Sequence, residues 1–345
     1  MDQVARWASE DRAALFLETA ARMGPAPAII EKDFWVCWTL SRLFAIPARQ
    51  PAMLFKGGTS LSKAYGAIQR FSEDIDLSLD RHDLGFTGGR DPELATGRNA
   101  TKRLLEELQQ ACTRYLADEF VPGTVRDFET VLGPVGSTWS LDPDPDDPQT
   151  ILFTYPPSLA VELGGYVRPV VRLEFGARSD LWPATDAEIR PYAAEYFPEA
   201  FEGNPTCTVH VLEAKRTFWE KATLLHAEYH RTTVRPTAER LSRHYYDLAQ
   251  LSQLPIYAEA LADMDLLIRV AEHKNRFFPV GWARYGEARP GTLRLVPHPE
   301  LRAMLEADYE AMQEMIFGEP PSFATILERL TAMEAEINGE SPDPR

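Results

Sequence analysis

The sequence predicts an α+β protein, with strands and helices mixed to about residue 210 and a helical domain after it. Three observations carry this. Asp74 to Asp80 alternate strictly, Ile75, Leu77 and Leu79 on one face and Asp74, Asp76, Ser78 and Asp80 on the other, the period of a half-buried strand. After Val209 apolar residues fall mostly at helical spacing. A length of 345 residues is more than one ordinary core accommodates, so two domains are expected.

In chain order, Trp7 to Arg22 and Ile29 to Phe44 have helical periodicity, separated by Gly24-Pro25-Ala26-Pro27, and residues 1–48 form an N-terminal helical segment. Ala52 to Lys56 is a short strand ending in Gly57-Gly58. Leu61, Ala64, Tyr65 and Ile68 then follow at helix period. Asn99 to Asp118 is an amphipathic helix through Leu104, Leu105, Leu108, Cys112, Tyr115 and Leu116. Strands are expected at Phe128 to Leu132, Ile151 to Tyr155 and Val167 to Gly176. Asp142 to Gln149, with four Asp and three Pro, reads as an exposed loop. Helices at Glu213 to Arg231, Thr237 to Leu254, Pro255 to His273 and two near the end complete the outline: 1–48, 49–210 and 211–345.

Composition narrows the function. Hydrophobic residues at 44% and charged residues at 26% describe a folded soluble chain. No apolar run approaches the roughly 20 residues of a membrane span. Met1 to Glu10 is charged and lacks an apolar signal segment, and three dispersed cysteines support neither a disulfide framework nor a zinc site. The expectation is a cytoplasmic protein. A net charge of −16 argues against a general nucleic-acid coat, yet Lys215 to His244 and Arg269 to Arg302 each carry more basic than acidic residues, a candidate basic face.

The chemistry concentrates at Gly57-Gly58-Thr59-Ser60 and Asp74-Ile75-Asp76. The glycines allow a tight turn and close backbone approach, the following helix offers unpaired N–H groups to phosphate, and Ser60 adds a hydroxyl. Two carboxylates two residues apart on one strand face lie about 6.5 Å from each other. At an effective dielectric near 20 they repel by about 2.5 kcal/mol, which a divalent cation relieves. Oxygen-only ligands beside a phosphate seat select Mg²⁺ or Mn²⁺. A two-metal site needs a further acid, and Glu174, alternating with Val171, Leu173 and Phe175, is available. Read alone, an Asp-x-Asp strand is also a common solvated face.

The stretch Leu54 to Leu79, LFKGGTSLSKAYGAIQRFSEDIDLSL, resembles the first motif of the AbiEii/AbiGii toxin family, which shares the DNA polymerase β-type nucleotidyltransferase core. Val170 to Gly176 (VVRLEFG) resembles the strand with the third acid. Lys221 in Thr217 to His230 (TFWEKATLLHAEYH) and Asp247 in Arg243 to Leu248 (RHYYDL) resemble the family's downstream motifs. His244 stands where many relatives have an acid.

The resemblance implies a mixed sheet flanked by helices and a C-terminal helical domain. It implies NTP-dependent transfer to an acceptor, tRNA 3′ ends among them, with two Mg²⁺ or Mn²⁺ ions on Asp74, Asp76 and Glu174. Gly57, Gly58, Thr59, Ser60, Arg70 and Lys221 would meet the nucleotide, and Asp247 would orient Lys221 or an arginine. It further implies a toxin of a type IV toxin–antitoxin or phage-defence operon with a separately encoded antitoxin.

Other readings stay open. The same core serves transfer to a small molecule or a protein hydroxyl, and a silent binding module could keep the fold. As bare residues, Lys221 is a surface lysine and Arg70 reaches either phosphate or a local carboxylate. His226 and His230 read as a surface pair near the basic patch. His273 to Phe278 (HKNRFF), with Trp282, Arg284 and Tyr285, reads as a helix end with core aromatics, or as a stacking platform for RNA.

Overall fold

A computed structural model describes residues 1–46, 51–159, 168–231 and 240–339. The chain forms two compact units: Met1–Ala64 with Phe71–Val211, and Tyr65–Arg70 with Leu212–Arg345.

The first unit opens with helices α1 (Asp2–Ala5), α2 (Ser9–Met23) and α3 (Pro27–Phe44). Then come β1 (Met53–Lys56), α4 (Gly57–Lys63), β2 (Ile75–Leu79), α5 (Arg98–Tyr115), a π-helical turn (Leu116–Phe120) and α6 (Val121–Leu132). Strands β3 (Ser140–Pro143), β4 (Thr150–Thr154), β5 (Val170–Gly176) and β6 (Ala184–Ile189), helix α7 (Tyr192–Tyr196) and β7 (Cys207–Leu212) follow.

The seven strands form one mixed sheet in the order β3-β4-β5-β2-β1-β7-β6. β2 runs antiparallel to β1 and parallel to β5, so Ile75 faces Leu173, Asp76 faces Glu174 and Lys56 faces Asp76. Strict alternation then sorts the side chains. Phe55, Ile75, Leu77, Leu79, Val171, Leu173, Phe175, Ile151 and Phe153 share the buried face. Trp35 and Trp38 of α3 and Phe128 of α6 pack against Phe153 there. The opposite face carries Lys56, Asp76, Arg172 and Glu174.

Several expectations need correction. Phe128 to Leu132 is helix, the end of α6, because Thr124, Phe128 and Val131 recur at helical spacing and all three are buried. The segment is rich in strand-formers, and tertiary packing overrides that propensity. Strands β3, β6 and β7 were not expected: β3 and β6 are edge strands without a β-branched run. β7 does alternate, Val209 and Val211 inward against Thr208 and His210 outward, but lies where the helical pattern was taken to begin. The predicted loop 142–149 starts inside β3, and Asp144 is nearly buried. Helix α4 stops at Lys63, short of Ile68. Val167, at the start of the predicted third strand, lies outside the described residues.

The second unit is helical: α8 (Ala214–Tyr229), α9 (Ser242–Leu251), α10 (Pro255–Leu261), α11 (Met264–Phe277), α12 (Arg302–Met312) and α13 (Phe323–Asn338). The predicted single helix Pro255 to His273 is two, α10 and α11. The segment 65–70 joins this unit through Tyr65, whose hydroxyl donates to the Leu212 carbonyl, and through a bridge between Arg70 and Ile316. Among the described residues, no helix is long and apolar enough to cross a membrane.

Candidate active site

The turn from β1 into α4 sets the first constraint. Gly57 has φ +81°, a left-handed backbone that disfavours any side chain, and an added Cβ would stand 1.9 Å from Oδ2 of Asp76. Glycine here lets the Asp76 carboxylate lie directly against the backbone. Thr59 and Ser60 are buried and used internally. The Thr59 hydroxyl donates to the Asp74 carbonyl and pairs with the Ser72 hydroxyl, while Ser60 donates to the Gly57 carbonyl. The Ser60 hydroxyl expected to face phosphate is therefore turned inward, where it fixes the turn.

Asp74, Asp76 and Glu174 come together as adjacent strands require. Asp76 and Glu174 are direct register partners on parallel strands, and Asp74 precedes Asp76 on the same face. None of the three is fully buried, the side chains of Asp74 and Glu174 being 20% and 42% exposed. Burial, with the charges of Asp76 and Asp74 behind it, raises the pKa of Glu174. Among the described residues, no three or more His, Cys, Asp or Glu side chains are grouped so that they could hold a metal ion. The three acids make an open row instead, with Arg172 between them: its Nε is 3.5 Å from Glu174 Oε1 and 3.9 Å from Asp74 Oδ1. By donor type alone, three carboxylates are the oxygen ligands that a hard divalent cation takes.

Helix α3 holds this arrangement from behind with three consecutive charged residues, each buried. Glu31 accepts from the backbone N–H and hydroxyl of Ser158. Lys32 pairs with Glu73, next to Asp74, at 2.5 Å. Asp33 pairs with Lys63 of α4 at 2.7 Å and accepts the Tyr192 backbone N–H. Burial works against the Lys63 charge, but Asp33 and its neighbours outweigh it and raise the pKa. The sequence reading missed Glu31-Lys32-Asp33, although an unbroken charged triplet inside an apolar helix was a signal. It also missed Lys56, beside Asp76, and Arg172, beside Glu174.

In the second unit Asp247 is fully buried and takes two bonds from Arg70, 2.7 Å from Nε and 2.8 Å from Nη2, and one from Lys221 at 2.8 Å. Burial alone would raise the Asp247 pKa, but Arg70 and Lys221 lower it. Burial lowers the pKa of Lys221 against the pull of Asp247, and His244, 3.4 Å from Lys221, is held neutral by burial and by that lysine. The expected pairing of Asp247 with a lysine or an arginine is thus present with both. Arg70 pairs with a carboxylate that is not local, 177 residues along the chain.

At the start of the expected basic face, three cations are used internally. Arg216 is buried against Glu220, Lys221 is buried, and Lys215 bridges Glu213 and Asp263. Arg235 lies outside the described residues. Nor is His226 on the surface. It is fully buried, its Nδ1 accepting from the Arg294 backbone and its Nε2 donating to the Arg284 carbonyl, and burial lowers its pKa to about 4. In the aromatic segment, His273 stacks on Phe277, which is buried, while Trp282 lies under Arg231.

Comparison with known proteins bears on what this row of acids does. The family model described as nucleotidyl transferase AbiEii toxin, type IV toxin–antitoxin system, matches residues 38–329. The chain belongs to the AbiEii nucleotidyltransferase toxin family. Both the glycine turn and the acids on β2 and β5 lie inside the matched span. Among solved structures it is similar in fold to MenT4, a nucleotidyltransferase toxin of Mycobacterium tuberculosis H37Rv, with TM-score 0.50 and 17% identity over 96% of this chain and 90% of that one. No curated protein sequence matches. As an AbiEii protein the chain is a nucleotidyltransferase and a type IV system toxin, a class that uses an NTP and a divalent metal and has a separate antitoxin.

Proposed function

We propose that this AbiEii protein transfers a nucleotide from an NTP to an RNA acceptor, the 3′ end of tRNA in particular, with Asp74, Asp76 and Glu174 holding two Mg²⁺ or Mn²⁺ ions. The observation that carries it is the register of Asp76 opposite Glu174 on the open sheet face, with Asp74 beside them. Bound there, the metals would make the attacking hydroxyl more acidic and offset charge on the leaving pyrophosphate. The protein's own part is geometric. Gly57 lets the Asp76 carboxylate lie against the turn, and Thr59 fixes the main chain at Asp74. The family motif gives Lys221, oriented by Asp247, the role of a cation for the triphosphate or acceptor. On this reading residues 49–210 are the catalytic core, 1–48 its helical lead-in and 211–345 a helical domain. The toxin works in the cytoplasm within a phage-defence operon.

The test incubates purified protein with each labelled NTP, Mg²⁺ and total RNA, followed by gel separation. Label should enter a tRNA-sized band with wild type, and Asp74→Ala or Asp76→Ala should abolish it while melting temperature stays level or rises, because one of two repelling carboxylates is gone. Expression of wild type should slow host growth, and Asp76→Ala should not. Labelling of protein or small molecules alone would redirect the acceptor.

A further inference from the structure

We propose that Arg172 is a built-in counter-ion of the acidic row that competes with the divalent cation, and that Asp144 sets how strongly it competes. The proposal rests on the reading of Asp74, Asp76 and Glu174 as metal ligands.

Arg172 lies two residues before Glu174 on β5 and so shares its face. The distances from its Nε to Glu174 and Asp74, 3.5 Å and 3.9 Å, are too long for good hydrogen bonds but short for opposite charges. Its other end is tied: Nη1 is 2.8 Å from Oδ2 of Asp144, a charge-assisted bond of normal length. Asp144 is itself fixed, since its Oδ1 accepts the Asp146 backbone N–H and its own N–H donates to the Thr150 carbonyl. The guanidinium is thus tethered on one side and leans toward two acids on the other.

A guanidinium cannot shed its charge to make way for a metal. It has to be outcompeted or drawn off, and Asp144 is the acceptor that draws it off. Three carboxylates alone present three negative charges, and Arg172 offsets one. A divalent ion arriving without nucleotide therefore meets a weaker field, and the phosphates of an arriving NTP restore it. The device favours loading of metal together with nucleotide over loading of bare metal.

Two substitutions should move affinity in opposite directions, which a merely structural role would not do. The experiment is calorimetric titration of Mn²⁺ into the metal-free full-length protein, with thermal melts to establish folding. Arg172→Gln should bind Mn²⁺ at least tenfold more tightly than wild type. Its metal-free melting temperature should fall, and Mn²⁺ should restore it. Asp144→Asn, which releases the guanidinium onto Asp74 and Glu174, should weaken binding at least threefold, and the double variant should follow Arg172→Gln. Equal or weaker binding by Arg172→Gln, or a shift of both variants in one direction, overturns the proposal. Asp76→Ala separates the two readings: if it binds Mn²⁺ as wild type does, the metal site itself is wrong and this inference falls with it. Loss of binding in Asp76→Ala with no change in Arg172→Gln removes the counter-ion alone.

Discussion

Replacing Gly57 by alanine tests whether the glycine turn exists to admit the Asp76 carboxylate. The new Cβ would lie 1.9 Å from Asp76 Oδ2 and 2.7 Å from its Cγ, whereas real contacts essentially never fall below 3.0 Å. Asp76 or the turn must therefore shift by about 1.1 Å at the least. The left-handed φ of +81° adds strain of about 1–2 kcal/mol for a residue with a Cβ. A 1 Å misplacement at a reacting centre costs about 100-fold in rate. Strain of that size lowers the melting temperature by only a few degrees in a chain this long. Gly66→Ala is the control, because Gly66 also has positive φ, +57°, but its Cβ would meet nothing within 4 Å. In the labelled-NTP assay, Gly57→Ala should lose about two orders of magnitude and Gly66→Ala should stay near wild type, the two melting alike. Equal activities of the two variants would refute the reasoning.

Asp247→Asn should destabilise the protein by about 3–5 kcal/mol in denaturant titration, since it leaves Arg70 and Lys221 buried together without their shared carboxylate. Lys221→Ala leaves the Arg70–Asp247 pair intact and should slow nucleotide transfer at least about tenfold with little change in melting temperature; transfer at the wild-type rate would remove its catalytic role. His226, neutral when folded, titrates at about 4 instead of its ordinary 6.5. Below pH 6.5 the unfolded chain takes up a proton that the folded one refuses, so stability present above pH 6.5 should fall toward pH 4, by about 3 kcal/mol. Melting against pH should show a shallower slope over that window in His226→Gln.

Strand β2, with Asp74 just before it, was legible because Ile75, Leu77 and Leu79 are buried on one face and polar residues alternate with them. Glu174 was legible for the same reason. Phe128 to Leu132 misled because Phe, Thr and Val favour strands locally, while contacts with Trp38 and Phe153 that decide for helix are far off in sequence. Arg216, Lys221 and His226 looked like surface residues because charge predicts exposure until a partner is known. Their partners are Glu220, Asp247 and two loop backbone groups, the last two lying 26 residues or more away in sequence. Arg70 shows the limit most plainly: its carboxylate partner is 177 residues downstream.

The segment 65–70 changes how this toxin can be taken apart. The chain leaves the first unit after Ala64, returns at Phe71 and leaves again after Val211, so three peptide bonds, not one linker, join the units. A cut at 211/212 gives no pair of independent modules. The N-terminal piece would carry Arg70 away from Asp247, and the C-terminal piece would keep Asp247 with Lys221 as its remaining cation of the trio. Recombination between family members at that joint would mismatch the same pair. A viable chimera has to move residues 65–70 together with 212–345, which makes that six-residue segment and the helical unit a single unit of inheritance.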